Sequence, residues 1–244
     1  MEIKVIGTGG VLSKLPTAYI INESILIDCG LEIVKKIISN GDIEKIKTIC
    51  ITHLHMDHVG GLELFVFYKQ FKKSSFSIFA GVDFLDFYKN LKCSINPSNG
   101  DYYQPFEFHE FFHAPAIHSQ HTIDNFIQLN VLKSIHMADT IPAYTFKFIE
   151  TDNSLNSAKV IISGDTEVPL KITASMLEKE NTLCFHDMGW TGLDSLRDIH
   201  KAHCSEVEVF NVVGSSNRLF GIHINDGVSL DYYQKAETDK VYEI

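Results

Sequence analysis

The sequence predicts an α/β sandwich in which two mixed β-sheets pack face to face and helices cover their outer faces, with residues 1–244 forming a single domain. Two observations carry this expectation. Short apolar, β-branched runs interleave with segments of helical period along the whole chain, with no linker or low-complexity stretch between them. The interleaving also falls into two halves of similar pattern, meeting near Asn96-Pro-Ser-Asn-Gly100, so each half supplies loops to one shared edge.

In the first half, strand-like runs occupy 2–7, 17–22 and 24–28. A helix-like segment at 31–39 stops before the turn pair Asn40-Gly41. A strand at 47–52 follows, then Gly60-Gly61, whose lack of side chains permits close backbone approach, and a helix over Leu62–Phe71. A strand at 76–80 and a helix at 83–91 complete this half. The second half reads as strands near 105–112, 126–135, 143–150 and 158–163, then helices near 169–179 and 195–210. A strand at 218–223 and a short helix at 229–235 end it.

Composition narrows the functional classes. The formal net charge is −10, and the only basic cluster is Lys69–Lys73, a short patch at a helix end that reads as a solvated face. A protein that grips a long polyanion needs clustered Lys and Arg, so large nucleic acids are unfavoured partners, whereas a small phosphorylated substrate held through bound cations is not. Five cysteines (Cys29, Cys50, Cys93, Cys184, Cys204) form no C-x-x-C pair and mostly sit in apolar runs, which suits reduced thiols and a cytoplasmic location. The chain opens on strand-like Glu2–Ile6, leaving no room for a signal peptide, and no apolar run is long enough to span a membrane. Neither G-x-G-x-x-G nor G-x-S-x-G occurs, so dinucleotide binding and serine hydrolysis have no motif to rest on. Aromatic residues concentrated in 79–112 fit core packing, a pocket lining or a homodimer face.

The chemistry is concentrated in Thr52-His-Leu-His-Met-Asp-His-Val-Gly-Gly61, directly after the buried run Thr48–Thr52. Side chains two apart on extended backbone point the same way, so His53 and His55 can grip one ion together. Asp57 and His58, beyond the strand's end, can turn toward a second. Imidazole and carboxylate are the usual donors for zinc and related divalent ions.

H-x-H-x-D-H after a buried strand resembles the metallo-β-lactamase fold superfamily of binuclear hydrolases. Lys4–Gly10, Leu26-Ile-Asp-Cys-Gly30 and Ser163-Gly-Asp-Thr166 are similar to further recurring elements of that superfamily. The order and spacing most resemble the branch containing ribonuclease Z and related phosphodiesterases. The resemblance implies a four-layer αββα sandwich and two divalent metal ions per chain, zinc by donor chemistry with manganese as the alternative. It implies that Asp165 bridges both ions and that His223, at the end of Leu219–His223, is the last ligand. For the third histidine of the first ion it leaves two candidates: His136 after the run Val131–Ile135, which is favoured, or Asp139, which keeps the stricter spacing to Pro142. His53, His55, His136 and Asp165 would then hold one ion, and Asp57, His58, Asp165 and His223 the other.

Two ions ~3.5–4 Å apart can share a hydroxide that serves as nucleophile. Asp57 would orient it and take up its proton. A further histidine, His203 or His200, would assist the leaving group beside Asp187, with His203 slightly favoured. His109, His113, His118 and His121 read as surface or pocket-rim residues.

Departures from ribonuclease Z redirect the substrate expectation. The basic, Gly/Pro-rich arm that grips tRNA has no counterpart, and Asp187 stands where that branch has Glu. The leading expectation is a phosphodiesterase for a small substrate such as a cyclic nucleotide. The alternatives are a ribonuclease Z-like tRNA 3′ endonuclease, a lactone, sulfate-ester or thioester hydrolase, and a non-catalytic ligand-binding protein on the same fold.

Overall fold

The computed structural model describes residues 1–81, 83–92, 106–110, 119–123, 126–137, 141–151, 157–189, 202–224 and 228–244. Two seven-stranded sheets form the centre. In chain order the first contains β1 (Glu2–Gly7), β2 (Ala18–Ile21), β3 (Ile25–Ile27), β4 (Thr48–Cys50), β5 (Phe76–Ala80) and β6 (Phe106–Glu110). The second contains β7 (Ser119–Thr122), β8 (Ile127–Ser134), β9 (Ala143–Glu150), β10 (Lys159–Ile162), β11 (Thr182–Asp187), β12 (Leu219–Ile222) and β13 (Gln234–Lys235). The last strand, β14 (Val241–Glu243), returns to the first sheet beside β1, giving the orders β14-β1-β2-β3-β4-β5-β6 and β13-β12-β11-β10-β9-β8-β7. Each sheet is antiparallel on one side and parallel on the other, the change falling at β3 in the first and at β10 in the second.

Strand alternation builds the layers. Tyr19 and Ile21 face the space between the sheets while Ala18 and Ile20 face the helices. In the second sheet, Val160, Ile162, Leu183 and Phe185 face inward, and Ile161 and Cys184 meet the helices. Helices α1 (Leu31–Ser39), α2 (Met56–Val59), α3 (Leu62–Phe71) and α4 (Phe84–Lys92) belong to the first half. Ile33, Val34 and Ile37 of α1 and Leu62, Phe65 and Val66 of α3 close a second core against the first sheet. Helices α5 (Ala174–Lys179) and α6 (Glu206–Val213) close a third through Leu177, Val209 and Val213. The result is the αββα sandwich.

Several element expectations are corrected. The helix expected over 169–179 is confined to Ala174–Lys179, because Thr173 caps it and the Leu170 N–H is instead donated to His186 Nε2 at 3.0 Å. The helix expected over 195–210 runs over Glu206–Val213 where it is described, started by a Ser205–Glu208 capping box, a signal the sequence reading passed over; residues 190–201 lie outside the described set. The short helix expected at 229–235 is absent, and Gln234–Lys235 is an edge strand. The Glu206 carboxylate accepts from the backbone N–H groups of Asp231, Tyr232 and Tyr233, which removes them from helical bonding. Strands β7, β11 and β14 were not anticipated, nor was α2.

Lys69 is also corrected. Leu62, Phe65, Val66 and Lys69 form one buried stripe on α3, so the lysine stem packs inside while Nζ donates to the Ile46 carbonyl at 2.7 Å. Lys72 pairs with Glu44 at 3.0 Å. Lys69 is therefore a core residue, while Lys72 and Lys73 remain on the exposed face.

Among the aromatic residues of 79–112, Phe79, Phe84, Tyr88 and Phe106 are buried, and Phe87 and Phe108 pack against the core. The loop 96–100, with Tyr102, Tyr103, Phe111 and Phe112, lies outside the described residues, as does Cys93. Cys29, Cys50, Cys184 and Cys204 are free and buried. No helix among the described residues is long and apolar enough to cross a membrane.

Candidate metal centre

Four strand ends deliver the site. Beyond β4 the chain runs through His53 and His55, and His55, in extended conformation, begins the single turn of α2. That turn swings Asp57 and His58 inward, which an extended continuation could not do. From the second sheet come His136 after β8, Asp165 after β10 and His223 after β12. Asp165 is reached through Gly164, whose φ of 59° lies in the left-handed region. A Cβ on Gly164 would also stand 2.6 Å from the Tyr144 carbonyl oxygen.

Ligand atoms of His53, His55, His136 and Asp165 converge within 4.8 Å of one another, as do those of Asp57, His58 and His223. His53 Nε2 lies 3.0 Å from His55 Nδ1, and His136 Nε2 lies 3.3 Å from the same atom. Asp165 stands between the groups: Oδ2 is 3.5 Å from His53 Nε2 and 3.4 Å from His223 Nε2, and Oδ1 is 3.5 Å from His58 Nε2. Donors on a tetrahedral zinc with ~2.0–2.1 Å bonds are separated by roughly 3.4 Å, so these spacings match the edges of metal polyhedra. The Asp165–imidazole spacings of 3.4 and 3.5 Å are long for hydrogen bonds.

Nitrogen tautomers make the same case. His136 donates from Nδ1 to the Ala202 carbonyl at 2.9 Å, leaving the Nε2 lone pair for the centre. His58 donates from Nδ1 to Asp28 Oδ2 at 2.7 Å, and its buried Nε2 has no hydrogen-bond partner. Burying a polar nitrogen without a partner is costly, and a cation at that position relieves the cost. Burial, reinforced by the neighbouring His58, holds His53 well below the ordinary imidazole range, and burial lowers His136 as well. Both are therefore neutral and able to ligate. Burial opposes ionisation of Asp165, but His223 and His58 outweigh it and hold the carboxyl well below its usual range. The described residues thus fit divalent ions.

Asp28 is the functional residue that sequence reasoning left without a role, although its segment was noticed. Besides His58, it accepts from the Thr52 N–H at 2.8 Å and the Thr52 hydroxyl at 2.7 Å. It sits at φ 59°, a conformation Asp and Asn tolerate better than most residues. A buried Asp followed by Cys-Gly at the end of an apolar strand was the available signal.

His203 stacks on His223 with ring centroids 4.4 Å apart and donates from Nδ1 to Asp187 Oδ2 at 2.8 Å. Asp187 is fixed in turn by the Thr166 and Gly189 N–H groups, each at 2.9 Å. Burial alone would lower His203, but Asp187 outweighs it and raises the imidazole to about 9. Gly10 and Gly189 flank His223: a Cβ on the first would lie 2.9 Å from Cε1, and on the second 2.9 Å from Nδ1. His109 and His121 are elsewhere, packed on Phe79 at centroid distances of 4.3 and 5.6 Å. Asp139, His200, His113 and His118 lie outside the described residues.

Comparison with known proteins agrees with the fold. The chain resembles the metallo-β-lactamase fold protein YhfI from Bacillus subtilis (TM-score 0.69, 15% identity, 99% of this chain and 98% of that one). It also resembles human tRNase Z, short form (TM-score 0.69, 16% identity, 100% and 99% covered). Both likenesses establish the metallo-β-lactamase fold. The Anti-Pycsar protein Apyc1 of Paenibacillus harenae is 37% identical over 78 residues, which are 30% of this chain and 32% of that protein. The match thus spans about a third of the curated relative's length. The sequence model described as Anti-Pycsar protein Apyc1 matches residues 1–239, and on that extent the chain belongs to the Anti-Pycsar protein Apyc1 family.

Proposed function

We propose that this protein is a binuclear metal-dependent phosphodiesterase for a small substrate, a cyclic nucleotide by family membership, since the Apyc1 family is one of cyclic-nucleotide phosphodiesterases. The observation that carries the reading is the convergence of two donor groups on Asp165, with the buried His58 Nε2 otherwise unpartnered. His53, His55, His136 and Asp165 would hold one ion, and Asp57, His58, Asp165 and His223 the other. Zinc is the proposed ion, because imidazole outnumbers carboxylate, with manganese the alternative. When bound, the ions supply Lewis acidity toward the phosphoryl oxygens and activation of water near neutral pH.

The chain's own residues do the rest. In hydrolysis a water oxygen bonds to phosphorus, one ester P–O bond breaks, and the departing alkoxide needs a proton. Asp57 would orient the water and take up its proton; the His223 and His58 rings, each 3.5 Å from Oδ2, keep the carboxyl ionised although burial opposes it. His203, protonated at neutral pH through Asp187, donates to the leaving oxygen. Asp28 fixes the His58 tautomer, and Asp187 fixes the His203 ring.

Precursor-tRNA cleavage is the weaker reading, because the formal charge is −10 and, in the one basic cluster, Lys69 is buried against Ile46 and Lys72 pairs with Glu44. The test is metal content by elemental analysis, followed by turnover of cyclic mononucleotides, a chromogenic diester and precursor tRNA with zinc or manganese at physiological salt. We expect about two ions per chain and hydrolysis of the small diesters. Efficient tRNA processing with the small diesters untouched would reverse the substrate assignment, and absence of metal would end the hydrolase reading.

A further inference from the structure

Strand β11 carries a fully buried histidine that neither donor group uses. Alternation along Thr182–Asp187 turns Phe185 toward the core between the sheets and Cys184 toward the core under the helices. His186 and Asp187 therefore leave the strand on opposite faces. Burial holds the His186 imidazole below its ordinary range, so the ring is neutral, with one donor and one acceptor nitrogen. Both are engaged: Nδ1 donates to the Asp187 carbonyl at 2.8 Å, and Nε2 accepts the Leu170 N–H at 3.0 Å.

Leu170 closes a loop that opens directly after Asp165. At the near end the Thr166 N–H donates to Asp187 Oδ2 at 2.9 Å, and at the far end the Leu170 N–H rests on His186. The loop thus straddles the end of β11, fastened to two consecutive side chains. Within it the Thr166 hydroxyl donates to the Val168 carbonyl at 2.9 Å, and the Glu167 N–H reaches the Ile135 carbonyl at 2.9 Å, so little slack separates the two fastenings. Asp187 Oδ2 also accepts from His203 Nδ1 at 2.8 Å. Oδ1 accepts from Gly189, inside the same turn of chain, so Thr166 is the backbone donor that ties this carboxylate to a different segment.

We propose that His186 is a positioning residue for proton delivery: by holding Leu170 it keeps Thr166 on Asp187, and so keeps the His203 ring aimed at the leaving oxygen. The inference rests on the phosphodiesterase reading and adds to it a residue that touches neither substrate nor ion. A core histidine that only satisfied its own nitrogens would support turnover of every substrate alike. A positioning residue acts on one step. The proton passes from His203 Nε2 to the leaving oxygen as the P–O bond breaks, and only a basic leaving group requires it. A ribose alkoxide does, whereas p-nitrophenoxide departs without one.

The experiment uses zinc-loaded wild type, His186→Asn, His186→Gln and Leu177→Ala. The Asn amide reaches the Nδ1 position but not Leu170, whereas the Gln carbonyl reaches the Nε2 position and can accept the Leu170 N–H. Both replacements are polar and smaller than imidazole, and Leu177→Ala opens the same helix-side core without touching these bonds. In His186→Asn, kcat for adenosine 3′,5′-cyclic phosphate should fall at least about tenfold while that for bis(p-nitrophenyl) phosphate changes by less than about twofold. His186→Gln should restore the first. Amide hydrogen exchange at Thr166 and Leu170 should accelerate together in His186→Asn and stay slow in His186→Gln.

Equal losses on both substrates, as expected of Leu177→Ala, would reduce His186 to a structural residue and overturn the proposal. So would His186→Gln failing like His186→Asn, or release of the Leu170 amide with Thr166 still protected. If wild type turns over neither substrate, the hydrolase reading fails, and the exchange of the two amides still decides whether the hold on Leu170 reaches Asp187.

Discussion

Replacing Asp28 by Asn isolates what a residue outside the donor groups does for the centre. The side chains are nearly identical in shape, and Asn accepts the left-handed backbone that Asp28 adopts at φ 59°. The Thr52 N–H bond at 2.8 Å requires an acceptor at Oδ1, so the Asn carbonyl stays there and the NH2 group takes the Oδ2 position. That position faces His58 Nδ1 at 2.7 Å. Two donors cannot share it, so His58 must move its proton to Nε2, the nitrogen aimed at the centre. Loss of a tautomer-fixing partner costs roughly 10- to 100-fold in metal affinity. We expect the Asp28→Asn protein to bind one ion with near wild-type affinity and the other weaker by that factor, in competition titrations against a chromophoric chelator. Nitrogen chemical shifts of the His58 ring should report the tautomer directly. The metal-free protein should also lose some stability at neutral pH, because the Asp28 charge and hydrogen bond help hold the buried His58 ring above its ordinary range. Wild-type affinity for both ions in this variant would refute the orienting role.

Three further outcomes follow from the same geometry. His53→Ala combined with His55→Ala should remove an ion and abolish turnover of small diesters, read by elemental analysis and product assay; full activity would exclude these two as ligands. Gly189→Ala places a methyl group 2.8 Å from the His223 carbonyl and 2.9 Å from its Nδ1, so metal affinity and activity should fall by at least about tenfold, whereas Gly214→Ala, where nothing lies within 4 Å but φ is 79°, should cost stability only. In metal-free protein, Asp187→Asn should destabilise most below about pH 6.5 and progressively less as pH rises through about 9, because His203 is raised in the folded state and its pairing is lost on deprotonation. Urea midpoints across that range measure it, and a pH-independent difference would show that the pair contributes no charge interaction.

Legibility in the sequence followed the range of the interactions. The helix Leu62–Phe71 was readable to the residue because its apolar stripe, its glycine entry and its length are local properties. The H-x-H-x-D-H run was readable because its donors are packed into a few consecutive residues. Strand β11 escaped because Thr182–Asp187 is buried on both faces, between β10 and β12, and shows no alternation to read. The helix expected at 229–235 failed for a different reason: Glu206, distant in sequence, captures the backbone donors that helix would need. Lys69 was misread because composition treats every lysine as surface charge, whereas its position on the α3 stripe is what decides its environment. Asp28 is the instructive omission: its chemistry is expressed only through His58 and Thr52, each more than twenty residues away.

The distribution of donors explains why neither half of the sandwich suffices. His53, His55, Asp57 and His58 follow a strand of the first sheet, while His136, Asp165 and His223 follow strands of the second. Asp165 contacts nitrogens from both sheets, so closing the site requires the two parallel edges to be held in fixed register across the central core. Packing of Tyr19 against Phe185 at 5.2 Å and the inward faces of β10 and β12 supply that rigidity from apolar side chains alone. The polar edge is where the backbone departs from ordinary geometry: Asp28, Gly164 and His223 all sit at φ near 60° there. Non-glycine residues in that region cost about 1–3 kcal/mol each and persist only where surrounding structure holds them. At Asp28 the holding structure is the Thr52 and His58 hydrogen bonds; at His223 it is the glycine walls and the His203 ring. The apolar interior thus fixes where the two edges meet, and the strained turns spend part of that stability in aiming seven side chains at one point.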